Sequence, residues 1–249
     1  MKVLGVIPAR YASTRYPGKP LALIAGKSMI HRVYDQVKLA GSLTKVIVAT
    51  DDKRIYDAVI SFGGEVVMTN AGHPSGTDRC AETLLSCGEN FDAVINIQGD
   101  EPFIHPGQID LVSGLLHEDG VEIATLVKKI QSHAELFNVN SPKVVLSANG
   151  DALYFSRQVI PYFKGVPDNE WHERHTYFKH IGIYGYAAAI LPKLAELNHG
   201  KLEIAESLEQ LRWLENGFKI RTAVTEFETI AVDTPGDLVN AEEFAAHFR

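Results

Sequence analysis

The residues best suited to chemistry lie close together near the start of the chain. Arg10, Arg15 and Lys19 fall within ten positions, with Ser13, Thr14 and Gly18 between them and Ala9 just before. Three cations there can neutralise a polyphosphate, and small residues let backbone N–H groups approach it. The chain carries 24 basic against 31 acidic residues, so this loop reverses the overall sign. The plainer alternative is a surface loop that happens to be basic. A second group is Gln98-Gly99-Asp100-Glu101-Pro102, directly after the apolar stretch 92–97. A carboxylate just past the end of a buried strand is well placed to hold Mg²⁺. Asp100 comes too early to cap the helix expected after Pro106. Asp233 follows an expected strand ending over 230–232. It is either the N-cap of the last helix, with Asp237 as capping partner, or a second metal carboxylate paired in space with Asp100. Ser75, Gly76 and Thr77 precede a further helix. They can form an N-cap, or present hydroxyls and N–H groups to a base or ribose.

A third set involves longer spacings. Over 177–186 the pattern alternates like a strand, which puts Phe178, His180, Gly182, Tyr184 and Tyr186 on one face. An imidazole and phenols beside a glycine gap would make a wall for a polyhydroxylated acid. The same face also fits a half-buried sheet whose tyrosines pack and reach solvent. Gly182 would be odd in that case, because it weakens a strand unless something approaches closely. Over 206–215 the spacing predicts one helix, with Leu208, Leu211 and Leu214 inward and Glu209 and Gln210 beside them. Arg157 follows the end of an expected strand over 152–156.

Three decoys are set aside. Gly26-Lys27-Ser28 lacks the first P-loop glycine, whose place is taken by Leu21. His172-Glu173-Arg174-His175 is not H-E-x-x-H and reads as a solvated loop. No G-x-G-x-x-G follows the first strand, which disfavours a dehydrogenase. Cys80 and Cys87 are too few for a disulfide framework or a zinc site and read as small buried groups.

The elements that must position these residues alternate. An apolar run over 3–7 and strands over 45–50, 65–68 and 92–97 are separated by helical patterns over 29–37, 53–62 and 78–85. That order indicates a parallel sheet with crossover helices. Strands over 123–130, 143–146 and 152–156 follow with little helix between, so a mixed-sheet lobe is expected over about 125–200. Within it, 163–176 reads as a mobile polar and aromatic loop. A strand over 220–224 and a final helix return to the first part. At 249 residues, 45% hydrophobic and 22% charged, the chain suits one large α/β domain. The part outside that lobe then covers about 1–124 and 201–249. The net charge of −7 argues against coating nucleic acid. No apolar run approaches the ~20 residues that span a bilayer, and the first residues have too short an apolar core for a signal peptide. A cytoplasmic protein without membrane insertion is expected.

Matching stretches run nearly end to end: IPARYASTRYPGKPLA, ATDDKRI, PSGTDR, NIQGDEPFI, KVVL with ALYFSRQVIPY, KHIGIYGY, ESLEQLRWLENG and VDTPGDL. On these the chain resembles the CMP-Kdo synthetases, the 3-deoxy-manno-octulosonate cytidylyltransferases. The resemblance implies a Rossmann-like nucleotidyltransferase fold, α/β, with a mostly parallel central sheet and an inserted mixed-sheet lobe that dimerises. It implies transfer of CMP from CTP to Kdo with release of pyrophosphate, Mg²⁺ as cofactor, and a homodimer. Carried over by position, Arg10, Arg15 and Lys19, with Ala9 and Ser13, match the triphosphate loop. Ser75, Gly76 and Thr77 match the cytidine side. Asp100 and Asp233 match the metal carboxylates. Gln98, Arg157, His180, Tyr184, Glu209 and Gln210 match the sugar-acid pocket. An amino-Kdo or another sugar acid is the alternative substrate. The chain departs from the family at Tyr16, usually Leu, at Ser28, usually Pro, and at Ala187, commonly Arg, which bears on the dimer.

Overall fold

In the computed structural model, which describes residues 1–12, 16–228 and 230–247, the first strand is an interior strand of the sheet. β1 (Val3–Ala9) is apolar on both faces and buried except at Pro8, as a strand with layers on either side must be. A two-residue hairpin of β2 (Leu23–Ile24) and β3 (Lys27–Ser28) leads into α1 (Met29–Val37). Gly26-Lys27-Ser28 is thus the turn and return strand of that hairpin, not a phosphate loop. β4 (Lys45–Thr50), α2 (Lys53–Ser61), β5 (Val66–Met68), α3 (Gly76–Ser86), β6 (Ala93–Asn96) and α4 (Pro106–Leu115) continue the alternation.

β7 (Ile123–Lys129), α5 (His133–Leu136), β8 (Lys143–Leu146), β9 (Ala152–Ser156), α6 (Trp171–Arg174) and β10 (Phe178–Ala187) form the middle of the chain. α7 (Leu191–Ala195), α8 (Lys201–Glu206), α9 (Gln210–Glu215), β11 (Ile220–Val224) and α10 (Pro235–His247) close it. The central order is β11-β7-β10-β6-β1-β4-β5, with β8 and β9 attached to β10. β10 runs antiparallel to β6 and β7; the other neighbours along that path are parallel. The mixed-sheet part therefore shares the central sheet rather than forming a sheet of its own. One long strand makes this possible. β10 pairs with β8 at Phe178 and Lys179, then with β6 from Tyr184 to Ala187, and a bulge between Ile181 and Tyr184 marks the change. Gly182 lies in that bulge. The alternation survives it: Phe178, Tyr184 and Tyr186 pack in one core, Ile181 and Ile183 in the opposite one.

Three expectations are corrected. The single helix over 206–215 is two, because Ser207 takes a left-handed conformation (φ 51°) between α8 and α9. No strand forms over 230–232; instead Ile230 and Val232 pack with Ile24, Met29, Phe103 and Ala241, away from the sheet core. The stretch 163–176 is pinned, since Trp171 is buried with Ile130, Leu136 and Tyr177 and donates to the Val166 carbonyl at 2.8 Å.

Candidate active site

The chain leaves β1 towards β4 and β5 on one side and places β6 on the other, so a crevice opens past the C-terminal ends of β1 and β6. A cleft of about 330 Å³ lies there. Ala9 and Arg10 from the end of β1, Ser75 and Gly76 from the start of α3, and Gln98 to Asp100 after β6 form its walls. The Ser75 side chain caps α3 by accepting from the Asp78 N–H; the N–H groups of Gly76 and Thr77, ahead of it in the first turn, have no acceptor within the helix and suit a ligand. Gly99 is required by close approach: a Cβ there would lie 2.7 Å from the Pro8 carbonyl oxygen. Ser13 and Arg15, expected in the phosphate loop, lie outside the described residues.

Three distant segments converge at one edge of the cleft. Lys19 Nζ donates to Asp100 Oδ2 at 2.8 Å and to Asp233 Oδ1 at 3.1 Å. Gly18 (φ 74°) sets up the turn before Lys19, with the Tyr11 ring where a Cβ would point. Asp233 reaches Asp100 because the Val232 N–H donates to the Asp100 carbonyl at 2.9 Å. Capping of α10 falls to Thr234 and Asp237. The Asp237 carboxylate accepts from the Asp233 and Thr234 N–H groups, and the Thr234 hydroxyl, first among these bonds, holds it below the usual carboxylate range. The Asp233 carboxylate instead faces Lys19.

Two carboxylates within reach of one ammonium are a hard-oxygen donor set of the kind Mg²⁺ takes together with substrate phosphates. Among the described residues no group of three or more His, Cys, Asp or Glu could hold a metal alone, so further ligands would come from substrate and water. Beside them the Glu101 carboxyl is buried, and loss of water with the neighbouring Asp100 charge pushes its pKa up to about 8.

Behind α3 lies the second group. Gln98 lines the cleft, and its Nε2 donates to the Gly182 carbonyl at 3.0 Å. His180 Nε2 lies 3.0 Å from the Thr125 hydroxyl, with its ring between Phe155 and Tyr184. Burial pushes its pKa down to about 3, so it is neutral. Thr77 is turned inward, 1% exposed, and donates to Glu209 Oε2 at 3.0 Å. Burial pushes the Glu209 carboxyl up, while the Ser75 and Thr77 hydroxyls work against that shift. Gln210, next in the chain, is buried, and its Nε2 has no partner among the described residues. Arg157 does not line the cleft. Its guanidinium donates to the carbonyls of Glu206 (2.7 Å), Val139 (3.1 Å) and Ser207 (3.2 Å).

A family profile described as Cytidylyltransferase matches residues 4–220. The chain belongs to the cytidylyltransferase family. A 3-deoxy-manno-octulosonate cytidylyltransferase from Parabacteroides distasonis is 55% identical over 99% of both chains. Its namesake from Bacteroides thetaiotaomicron is 55% identical over 98% of both. A solved CMP:2-keto-3-deoxy-manno-octonic acid synthetase complexed with CTP superposes with a TM-score of 0.91, at 41% identity over 99% of both chains. These similarities place the chain among the 3-deoxy-manno-octulosonate cytidylyltransferases.

The cleft of this cytidylyltransferase also contains residues that the sequence reading did not single out. Arg79 is 4% exposed yet lines the wall, hydrogen-bonded to Thr69 and 3.4 Å from Asp51. His73 lines it too, in contact with Glu82. Arg79 was detectable by helical spacing, since it stands one turn after Gly76 and shares its face.

Proposed function

We propose that this chain transfers CMP from CTP to the 2-hydroxyl of 3-deoxy-D-manno-octulosonate (Kdo), giving CMP-Kdo and pyrophosphate for lipopolysaccharide biosynthesis. The observation that carries the reading is the convergence of Lys19, Asp100 and Asp233 at the mouth of the switch-point cleft. Asp100 and Asp233 would hold Mg²⁺. When bound, the ion supplies Lewis-acid neutralisation of phosphate charge. The chain does the rest. Ser75 and Gly76 offer donors to the cytidine, with Thr77 behind them. Arg10, Arg15 and Lys19 stabilise charge building on the phosphates. Gln98, His180, Tyr184, Glu209 and Gln210 hydrogen-bond the sugar hydroxyls. A neutral His180 offers one donor and one acceptor rather than a charge. Arg157 would take the sugar carboxylate bidentately by exchanging its carbonyl partners for it. Attack is in line on the α-phosphorus, without a covalent enzyme intermediate.

The protein works in the cytoplasm as a homodimer on this reading. No described helix is long and apolar enough to cross a membrane. Val139, Leu153 and Tyr162, before, within and after the β8–β9 hairpin, are 51%, 61% and 74% exposed, apolar surface that a second copy would cover. The test is pyrophosphate release from CTP and Mg²⁺ with Kdo, an amino-Kdo and a sialic acid in parallel. Release with Kdo supports the reading. Release only with another acid keeps the nucleotide chemistry and overturns the substrate.

A further inference from the structure

The first turn of α3 touches both halves of the site. Ser75 and Gly76 line the nucleotide cleft, and the next residue, Thr77, does not. Its side chain is 1% exposed and turned inward, towards the start of α9 and β10. Its hydroxyl donates to Glu209 Oε2 at 3.0 Å and lies 3.4 Å from the Tyr186 hydroxyl.

Glu209 occupies the N-cap position of α9 and its side chain makes no capping bond to that helix. The break at Ser207 turns it across to α3 instead. Next to it in the chain, Gln210 is 5% exposed and carries an amide nitrogen with no partner among the described residues. A carboxylate acceptor and an amide donor are together the groups that hydroxyls of a polyol require. Such a pairing discriminates only if its groups are held still.

We propose that Thr77 is a positioning residue for the acceptor sugar: its hydroxyl fixes the Glu209 carboxylate, and it is not a ligand of the nucleotide. This rests on the reading that Glu209 faces the sugar acid. The same turn then ties the two substrates together. Cytidine held at Ser75 and Gly76 steadies the backbone that carries Thr77, so nucleotide binding favours an ordered Glu209.

The test compares Thr77→Val, which keeps the shape and removes the hydroxyl, with Thr77→Ser, which keeps the hydroxyl. Steady-state KM and kcat are measured for both substrates, and CTP affinity by calorimetry without acceptor. Thr77→Val should raise KM for the sugar acid tenfold or more, with the CTP Kd within twofold of wild type. Thr77→Ser should stay within threefold on both. In the Glu209→Gln background, Thr77→Val should add less than twofold, because the two residues act as one unit. A CTP Kd weakened as much as the sugar KM would overturn the inference, as would a sugar KM unchanged by Thr77→Val or full additivity with Glu209→Gln. If Thr77→Val does not fold, Thr77→Ala carries the same comparison. A wild-type enzyme that turns over no sugar acid instead overturns the proposed function, which separates the two failures.

Discussion

Lys19→Met keeps most of the side-chain stem and removes the ammonium that joins Asp100 to Asp233. Two effects follow, of different size and different response to metal. At an effective dielectric of about 20, unit charges 4 Å apart attract by about 4 kcal/mol. The Asp100 and Asp233 side chains are 27% and 39% exposed, against 14% for Lys19. Solvent screening and side-chain entropy therefore reduce each pair to about 1 kcal/mol net. Losing both removes about 2 kcal/mol of stability, a fall in Tm of about 4–8 °C for a chain of this length. The loss in catalysis is larger, because a preorganised donor aimed at developing charge is worth about 10²–10³ in kcat. Mg²⁺ separates the two effects. With the ammonium gone, the two carboxylates attract a dication more strongly, and a ligand at a hundred times its Kd adds about 2.7 kcal/mol of stability. The assay is pyrophosphate release at saturating substrates beside thermal unfolding with and without Mg²⁺. The expected result is a Tm that Mg²⁺ restores and a kcat that it does not. A kcat within threefold of wild type, or one rescued along with Tm, would refute the role given to Lys19.

Three further outcomes are expected. Gly99→Ala puts a Cβ 2.7 Å from the Pro8 carbonyl oxygen, which is backbone and cannot swing aside. The shift it forces on Asp100 should lower kcat about 100-fold, and a kcat near wild type would show that the turn tolerates the move. The His180 ring, with its pKa pushed down to about 3, should show no titration by NMR between pH 8 and 5. Because the unfolded value is about 6.5, its contribution to stability is fully present above that pH and is lost as pH falls towards the folded value; a midpoint near 6.5 would contradict the burial argument. Arg212→Met leaves the buried Glu203 carboxylate without its two guanidinium bonds of 2.8 and 2.5 Å, and should cost about 3–5 kcal/mol in urea unfolding. A loss under about 1 kcal/mol would mean that His199 and the Gly200 N–H hold Glu203 unaided.

Local pattern exposes some of this architecture better than the rest. β1 and β6 are short apolar runs buried on both faces, so their ends, and the residues that follow, could be read directly. Asp100 was legible for that reason. Asp233 was legible only as an alternative, because capping of α10 by Asp237 is a matter of geometry and not of spelling. The apolar residues 230–232 mimic a strand, yet Ile230 and Val232 pack against β2 and α10. The break between α8 and α9 has no sequence mark, since serine seldom adopts positive φ. That break sends Glu209 to Thr77, a contact 132 residues apart in the chain. Gly182 was the one local sign of the bulge at which β10 changes partners, and the partners themselves are long-range.

The most direct measurement uses Kdo labelled with ¹⁸O at its 2-hydroxyl. The enzyme is incubated with CTP and Mg²⁺, and the sugar nucleotide is followed by phosphorus-31 NMR. In-line attack by that hydroxyl on the α-phosphorus predicts CMP-Kdo with the label in the bridging oxygen and one pyrophosphate per product. Absence of CMP-Kdo, or a bridge that has lost the label, would contradict the account.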